Sequence, residues 1–282
     1  MDGDYLYHLG LTKDDAPQFS DVKFFCTGGS ALRIGEFAQV VADELSAAGL
    51  ADVPFGLRPT PIAKTDRFST YKVGPVLMSN HGMGMPSVSI LLHEITKLLH
   101  YAGADDPVYM RLGSSGGVGV EPGTVVATTQ GLNGLLEPEF TLPMLGKTVT
   151  RPTDLDAGLN AEIVAASEGA ADFAVLPGKT MGTDCFYEGQ ARLDGAVCEH
   201  EEQEKMNFLR RAHEAGVRNI EMEATQFAAF TGRVGVRAAI LCVALLNRLD
   251  GDQVLTPVET LMEWDTRPGE VALNYIKAEL RK

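Results

Sequence analysis

Apolar runs of strand length alternate with amphipathic segments of helical length along most of this chain. The apolar runs lie at positions 22–27, 73–79, 108–112, 124–129, 173–176 and 238–246. Helical spacing of apolar residues is found instead at 34–48, 87–101, 155–167, 201–215 and 224–234, and a closing helix is predicted at 271–280. This alternation is typical of an α/β fold, in which a largely parallel sheet is covered by helices on both sides.

Glycine-rich turns directly follow three of the predicted strands. These turns occupy residues 27–30, 81–84 and 113–117. In an open α/β sheet, ligands bind outside the carboxyl ends of the strands, where glycine lets backbone N–H groups approach an anion closely. The sequence therefore predicts one shared pocket at this edge of the sheet.

Length, composition and charge narrow the class of protein. The chain has 282 residues, of which 45% are hydrophobic and 22% charged, and it contains no internal repeat. These values predict a single globular domain over residues 1–282 and exclude collagen, coiled coil and general disorder. With 24 Lys and Arg against 38 Asp and Glu, the net charge is −14. Because this charge repels nucleic acid and anionic membranes, neither is an expected partner, and a bound phosphate needs a local arginine cluster.

Cysteine usage and the first residues bear on the compartment. Cys26, Cys185, Cys198 and Cys242 form no C-x-x-C pair, so we expect reduced thiols rather than disulfides or metal ligands. The first fifteen residues are acidic and contain no basic segment that leads into a long apolar run. No apolar stretch in the chain is long enough to span a membrane. We therefore expect a cytoplasmic protein.

Three partial motifs fail to support zinc, a P-loop or a dinucleotide. The G-K-T at 178–180 lacks the earlier glycine of a P-loop. The H-E at 93–94 lacks the second histidine of a zinc-protease helix, because Lys97 occupies that place. The glycines of 113–119 do not have the spacing of a dinucleotide-binding turn.

Two arginines are candidates for binding an anion. Arg33 begins the first predicted helix, beside the 27–30 turn, and a solvated surface arginine is the alternative interpretation. Arg111 ends an otherwise apolar strand, where an unpaired charge is costly, so it requires a buried acid or a bound anion. Ser114, Ser115 and Gly116 follow directly and supply hydroxyls and amides suited to phosphate and sugar oxygens.

Residues 186–192 and 221–223 suggest binding of a base and a sugar. Gln190 offers a donor and an acceptor, Arg192 offers donors only, and together they fit the edge of a planar imide such as uracil, with Phe186 as a stacking face. A polar surface loop is the alternative. Glu221 and Glu223 allow two interpretations. They are acids that stabilise a helix N-terminus, or their carboxylates accept hydrogen bonds from ribose hydroxyls while Met222 packs against the sugar ring.

Seven motifs, in order, resemble one family from about His8 to the last helix. They are T-G-G-S with Arg33, K-T-D-R-F, Y-K-V-G-P-V-L-M-S-N-H-G-M-G-M-P-S, R-L-G-S-S-G-G-V-G-V-E-P-G-T-V-V, D-C-F-Y-E-G-Q-A-R-L-D-G, G-V-R-N-I-E-M-E and L-L-N-R-L-D-G-D-Q. The chain thereby resembles the uridine phosphorylases of the nucleoside phosphorylase-I superfamily. The resemblance implies a three-layer α/β/α sandwich with a mixed, partly barrel-like central sheet.

The same resemblance implies a reaction of pyrimidine salvage. In it, orthophosphate, the co-substrate, attacks the anomeric carbon of uridine and gives uracil and ribose 1-phosphate, without metal or organic cofactor. An arginine clamp holds the phosphate, and Arg192 stabilises the departing uracil anion more strongly in the transition state than in bound uridine. Arg111, Arg192 and Gln190 are the expected catalytic residues.

Individual positions carry over from the family to this sequence. The phosphate ligands match Gly29, Arg33, Arg111 and Ser114, of which the last also touches ribose. The uracil pair, the aromatic against the base and the ribose contacts match Gln190, Arg192, Phe186, Met222 and Glu223. Two residues match positions that reach the phosphate and the ribose of a neighbouring subunit, which implies a homodimer or a hexamer built from dimers; they are Arg67 and His8.

Departures from the family pattern are small. Ser114 stands where threonine is usual, and Ala191, Ala224 and Thr225 also differ without removing a charged or amide ligand. In purine-cleaving relatives an aspartate acts as general acid after the late strand, whereas Asn247, which cannot donate a carboxylic proton, stands near that place here. A pyrimidine substrate is therefore favoured. The alternatives are a phosphorylase with broader pyrimidine or purine use and a catalytically silent nucleoside-binding protein on the same fold.

Overall fold

The computed structural model describes residues 4–282 of the chain. The helices within this range are α1 Ala31–Ala47, α2 Met85–Ala102, α3 Ala157–Ser167, α4 Glu202–Glu214, α5 Ala224–Val234 and α6 Val258–Leu280, with 3-10 turns at Lys13–Phe19 and Glu188–Gln190. The strands are β1 Tyr5–Leu6, β2 Leu11–Thr12, β3 Phe24–Gly28, β4 Thr70–Val73, β5 Val76–Asn80, β6 Val108–Gly117, β7 Val125–Leu132, β8 Glu139–Met144, β9 Lys147–Pro152, β10 Val175–Gly182, β11 Val217–Glu221 and β12 Ala238–Asn247.

Eight of these strands form one central sheet in the order β11, β10, β7, β12, β6, β3, β5, β4. Strand β11 also pairs with β6, so that β6, β7, β10, β11 and β12 close into a five-stranded barrel. The pairs β4–β5, β7–β12 and β6–β11 are antiparallel and the other pairs are parallel. The predicted fold class, with a mixed and partly barrel-like sheet, is confirmed.

The central strands are largely apolar because both faces of the sheet are covered. Along β3, Phe24 and Cys26 point into one core, and Phe25 points into the opposite one. Leu241 and Ile240 alternate in the same way along β12. The first core is shared with α1, α3 and α6, and the second with α2 and α5. The sheet is thus the middle of three layers.

Closure of the barrel depends on the glycine end of β6. Gly116 and Gly117 lie opposite Ile220 and Asn219 of β11. A Cβ at position 117 would lie 2.8 Å from the carbonyl oxygen of Leu246, which is too close, so only glycine fits there. The close approach brings the ends of β6, β11 and β12 together.

The structure corrects three predicted boundaries. The run 73–79 is not one strand, because the chain turns at Gly74 (φ 50°) between β4 and β5. The predicted turn at 113–117 is the second half of β6. Helix α6 begins at Val258 rather than near residue 271, and residues 258–267 are exposed or half-buried. No helix among residues 4–282 has the length and hydropathy needed to cross a membrane.

Candidate active site

A buried charge cluster lies where β6, β11, β12 and α5 meet. Arg111 on β6 is 3% exposed, and its Nη2 forms ion pairs with Glu221, at 2.9 Å, and with Glu223. Its Nη1 lies 3.0 Å from Sγ of Cys242 on β12. A buried charge is tolerated only when partners compensate it, and two carboxylates do so here. Of the two partners that the sequence required for Arg111, the structure therefore shows the buried acid.

The same two glutamates fix the start of α5. The Glu221 carboxylate accepts hydrogen bonds from the backbone N–H groups of Glu223, at 2.9 Å, and Ala224, at 2.8 Å. Oε1 of Glu223 accepts a 2.5 Å hydrogen bond from the N–H of Gly84, in the loop after β5. Met222, between them, is half-buried. The acid pair is thus both a helix N-terminal charge and the counter-charge of a buried arginine.

The two carboxyl groups differ in their affinity for a proton. Burial raises the pKa of Glu221 to about 7, although the charge of Arg111 opposes this effect. Burial also acts on Glu223, but Arg111 and His81 outweigh it and hold the pKa of Glu223 below its ordinary value. Glu223 is therefore the ionised partner of Arg111 at neutral pH.

His81 lies beside this cluster, at the end of β5. Its backbone N–H donates to the Gly28 carbonyl at 2.8 Å, which joins the loop after β5 to the loop after β3. The Ser87 hydroxyl donates to the His81 carbonyl. The imidazole is buried, and within residues 4–282 neither ring nitrogen has a hydrogen-bond partner. Burial, with help from the charge of Arg111, lowers the pKa of His81 to about 4.

The phosphate candidates Gly29 and Arg33 line a cavity of about 920 Å³ between α1 and α6. A Cβ on Gly29 would lie 2.9 Å from the Gly82 carbonyl oxygen, so glycine allows the two loops to approach. Nη1 of Arg33 forms a 2.6 Å ion pair with Asp265 of α6. The structure therefore holds Arg33 at the cavity wall rather than free in solvent.

Residues 114–116 differ from the expected turn because they belong to β6, where successive side chains point to opposite faces. The Ser115 hydroxyl donates to the Val243 carbonyl at 3.1 Å and accepts a 3.0 Å hydrogen bond from Asn219. Gly116 lies under Arg248, whose Cγ would be 3.0 Å from a Cβ there. Ser114 is half-buried. Ser115 and Gly116 thus contribute to packing inside the barrel, and their contact with a ligand stays a prediction.

The base candidates Phe186, Gln190 and Arg192 form one compact group. The Arg192 guanidinium lies 4.5 Å from the centre of the Phe186 ring, and Asp194 binds that guanidinium through two hydrogen bonds of 2.8 and 2.6 Å. Gln190 lies on a 3-10 turn and is 3% exposed. A cavity of about 570 Å³, lined in part by Ala191, opens beside this turn. The segment is therefore held in one conformation by contacts with the rest of the protein and is not a solvated loop.

A second buried charge network holds this group in place. Arg248 is fully buried, and its Nη2 donates to the Gln190 carbonyl at 2.8 Å. Its Nε lies 2.9 Å from Asp252, whose carboxylate also pairs with Lys205 at 2.9 Å. Nη2 of Arg192 donates to the Asp252 carbonyl at 2.9 Å. Gln190 and Arg192 are thus fixed from behind by the loop after β12.

His8 and Arg67 are linked through Thr65. Glu94 of α2 accepts hydrogen bonds from the backbone N–H groups of His8, at 3.0 Å, and Leu9, at 2.9 Å, and lies 2.6 Å from Nδ1 of His8. The Thr65 hydroxyl donates to the His8 carbonyl. Arg67 is exposed nearby in sequence and space. Among residues 4–282, no ion pair or hydrogen bond joins either one to Arg111 or Gln190.

Cysteines and metal-ligating side chains contribute no further centre. Cys26, Cys185, Cys198 and Cys242 are all free thiols. Burial raises the pKa of Cys242 to about 12, so this thiol stays protonated. Over the described range 4–282, no three His, Cys, Asp or Glu side chains gather in a group able to hold a metal ion.

The model of the phosphorylase superfamily matches residues 23–277 of the chain. The chain belongs to the phosphorylase superfamily. Among its relatives, mouse uridine phosphorylase 1 is 48% identical over 283 residues, covering 99% of this chain and 90% of the mouse protein. The uridine and thymidine phosphorylase of Caenorhabditis elegans is 47% identical, covering 98% of this chain and 91% of that protein.

Solved structures of this superfamily share the fold. Uridine phosphorylase from Schistosoma mansoni in complex with thymidine superposes with a TM-score of 0.92 at 41% identity, covering 99% of this chain and 95% of that chain. The match includes the partly closed, five-stranded barrel.

Several residues of the site were missed from the sequence. His81 and Glu94 stand in segments read only as a glycine turn and a failed zinc motif, and their roles depend on groups that are remote in sequence. Arg248 and Asp252 stand four residues apart in the last of the seven motifs, where the sequence predicts no role for either residue. A detectable signal was the arginine directly after a long apolar strand, the same feature that identified Arg111.

The protonation of His81 gives a testable pH dependence. An unfolded histidine titrates near its ordinary pKa of 6.5, while folded His81 titrates near 4, so between these values only the unfolded state binds the proton. His81 therefore makes the free energy of unfolding rise with pH from 4 to 6.5. Glu221 acts oppositely between 4.5 and 7, because there the folded state holds the extra proton.

Comparison with the His81→Gln variant isolates the histidine, since Glu221 is common to both proteins. We expect the stability of the native protein relative to the variant to fall by on the order of 3 kcal/mol between pH 6.5 and pH 4. Denaturant unfolding in phosphate-free buffers measures this difference. A difference that does not change with pH contradicts a neutral, buried His81.

Proposed function

We propose that this protein catalyses the phosphorolysis of uridine, with orthophosphate as co-substrate and uracil and ribose 1-phosphate as products. The observation that carries the proposal is that relatives named for this activity match 98–99% of the chain. The proposal is supported by the burial of Arg111, Gln190 and Arg192, each of which is held by protein partners. Residues 1–282 act as one domain in this proposal, and no metal or organic cofactor takes part.

In the proposed reaction, Gly29, Arg33, Arg111 and Ser114 bind phosphate below the anomeric carbon. The glycine loop supplies close backbone approach, and the arginines supply charge in a site poor in water, where electrostatic interactions are strong. Glu221 and Glu223 prevent Arg111 from turning away. Holding the nucleophile in line replaces an encounter between two solutes by a positioned reaction.

Glu223 and Met222 face the ribose in this arrangement. The Glu223 carboxylate already binds Arg111 and the Gly84 N–H, but each carboxylate oxygen has two acceptor sites, so capacity for a ribose hydroxyl remains. One residue thereby links the nucleophile's arginine to the sugar that is attacked.

Gln190 and Arg192 bind the imide edge of uracil, and Phe186 packs against its ring. Negative charge grows on the uracil carbonyls as the glycosidic bond breaks, and Arg192 stabilises it in the transition state. Asp194 and the Asp252 carbonyl orient the guanidinium for this purpose. Asn247 is engaged with the Gly119 N–H at 2.9 Å and with Asp250 at 2.8 Å, and it supplies no acid for a purine leaving group.

A second candidate is a phosphorylase of both uridine and thymidine. It is favoured by a relative named for both substrates and by the thymidine complex of a second relative. Release of free base from uridine, deoxyuridine, thymidine and inosine, with and without phosphate, separates the candidates.

We expect strictly phosphate-dependent cleavage of uridine, with kcat/KM at least about 100-fold above that for inosine, because a purine lacks its general acid here. Thymidine cleavage within about tenfold of uridine selects the second candidate. Equal cleavage of uridine and inosine, or no cleavage of any nucleoside, contradicts the proposal.

We also propose that two chains exchange residues across a two-fold dimer, the unit from which a hexamer is built. Among residues 4–282, neither His8 nor Arg67 has a hydrogen bond or ion pair with Arg111 or Gln190, and Glu94 holds the half-buried His8 in place. In a two-fold dimer each chain then completes its partner's site with His8 at ribose and Arg67 at phosphate.

Co-refolding two inactive variants tests this exchange. Equal amounts of His8→Ala and Gln190→Leu chains pair at random, so about half of the dimers are mixed. One of the two sites in a mixed dimer has native Gln190 and receives native His8, so about a quarter of native activity returns. If mixed dimers form and no activity returns, both residues serve the site of one chain and the exchange is wrong.

A further inference from the structure

His81 is a buried imidazole that the proposed reaction has not yet used. It is 1% exposed, and both ring nitrogens lack hydrogen-bond partners among the residues that the structure describes. Leaving such a group unpaired is costly, so a side chain kept in this state points to a ligand.

The nitrogen-bearing edge of the ring faces the Gly29 loop. Cε1, the carbon between the two nitrogens, lies 4.0 Å from where a Cβ on Gly29 would stand. Gly29 lines the cavity of about 920 Å³ that also contains Arg33. The backbone contact from His81 N to Gly28 O holds the ring at this place.

Charges of both signs lie near the ring. Arg111 favours the neutral form of His81, and Glu223 favours the protonated form. Nε of Arg111 is likewise buried without a partner in residues 4–282. Arginine offers only donors, so a ligand that satisfies Arg111 and the ring together presents acceptor oxygens.

We propose that His81 is a phosphate-binding residue, whose single ring N–H donates a hydrogen bond to an oxygen of the orthophosphate held by Gly29 and Arg111. This inference rests on the proposed function, which places phosphate at Gly29. The arginines attract the phosphate by their charge, and the neutral imidazole orients it through a directional hydrogen bond. A neutral donor also binds phosphate without adding a proton that the nucleophile would have to lose.

Replacements of His81 are chosen by whether they keep a neutral hydrogen-bond donor at this position. His81→Leu fills the space and removes both ring nitrogens. His81→Gln keeps one neutral donor group and an acceptor, so it restores the hydrogen bond if the proposal holds. His93→Leu is the matched control, since His93 is exposed on α2 and packs only at 4.8 Å against the Phe230 ring.

Steady-state phosphorolysis of uridine by the full-length chain measures the effect. We expect His81→Leu to raise the KM for phosphate by about tenfold or more, as expected for one lost hydrogen bond to a charged group, and to change the KM for uridine by less than about threefold. His81→Gln recovers most of the loss, and His93→Leu has no effect. Equal increases of both KM values, or a glutamine variant as impaired as the leucine variant, overturn the proposal.

A binding measurement with inorganic phosphate alone keeps the inference separate from the reaction. Phosphate should raise the melting temperature of the native protein above that in chloride of equal ionic strength, and this increase should be largely lost in His81→Leu. If the native protein binds phosphate but cleaves no nucleoside, the proposed function fails. The comparison with His81→Leu then still tests whether His81 binds phosphate. An undiminished increase in His81→Leu contradicts the phosphate contact.

Discussion

The ion pairs of Arg111 with Glu221 and Glu223 are the interaction on which the rest of the site depends. They join strand β6 to the end of β11 and to the first turn of α5, and Glu223 ties in the loop after β5 through the Gly84 N–H. Such a cluster is stable only when every charge is paired, so its members hold one another in place. Three segments of the chain, β6, the β11–α5 junction and the loop after β5, are fixed at one point of the sheet edge as a result.

The base side of the site has its own buried support. Arg248 and Asp252, from the loop after β12, hold the backbone of Gln190 and the guanidinium of Arg192. This network meets the first one at β6, where Gly116 makes room for the stem of Arg248 and Gly117 permits barrel closure. The proposed phosphate and base ends are therefore both supported by strand β6, which suits a reaction that needs the nucleophile and leaving group on opposite sides of one carbon.

The sequence predicts those features of the fold and site that depend on local patterns, and it misses those that depend on contacts between remote residues. The layers were predictable, because β3 and β12 are apolar on both faces, and Arg111 stood out as a charge in an apolar strand. The sequence predicts a turn at residues 113–117, since glycines conceal a strand whose existence depends on pairing with β11 and β12. The burial of His81 could not be predicted, because groups far away in the chain create it, whereas Arg248 has the signal of an arginine that follows a long apolar strand.

The central claim is that Arg111 has two roles. It stabilises the fold by compensating the buried carboxylates of Glu221 and Glu223, and it takes part in the reaction. Denaturant unfolding of Arg111→Met, alone and combined with Glu221→Gln and Glu223→Gln, tests this claim most directly. The single variant should lose about 3–5 kcal/mol, because two acids stay buried without a counter-charge, and the triple variant should regain much of that loss while both stay inactive. A single variant that loses less than about 1 kcal/mol, or a triple variant no more stable than the single one, would contradict the account.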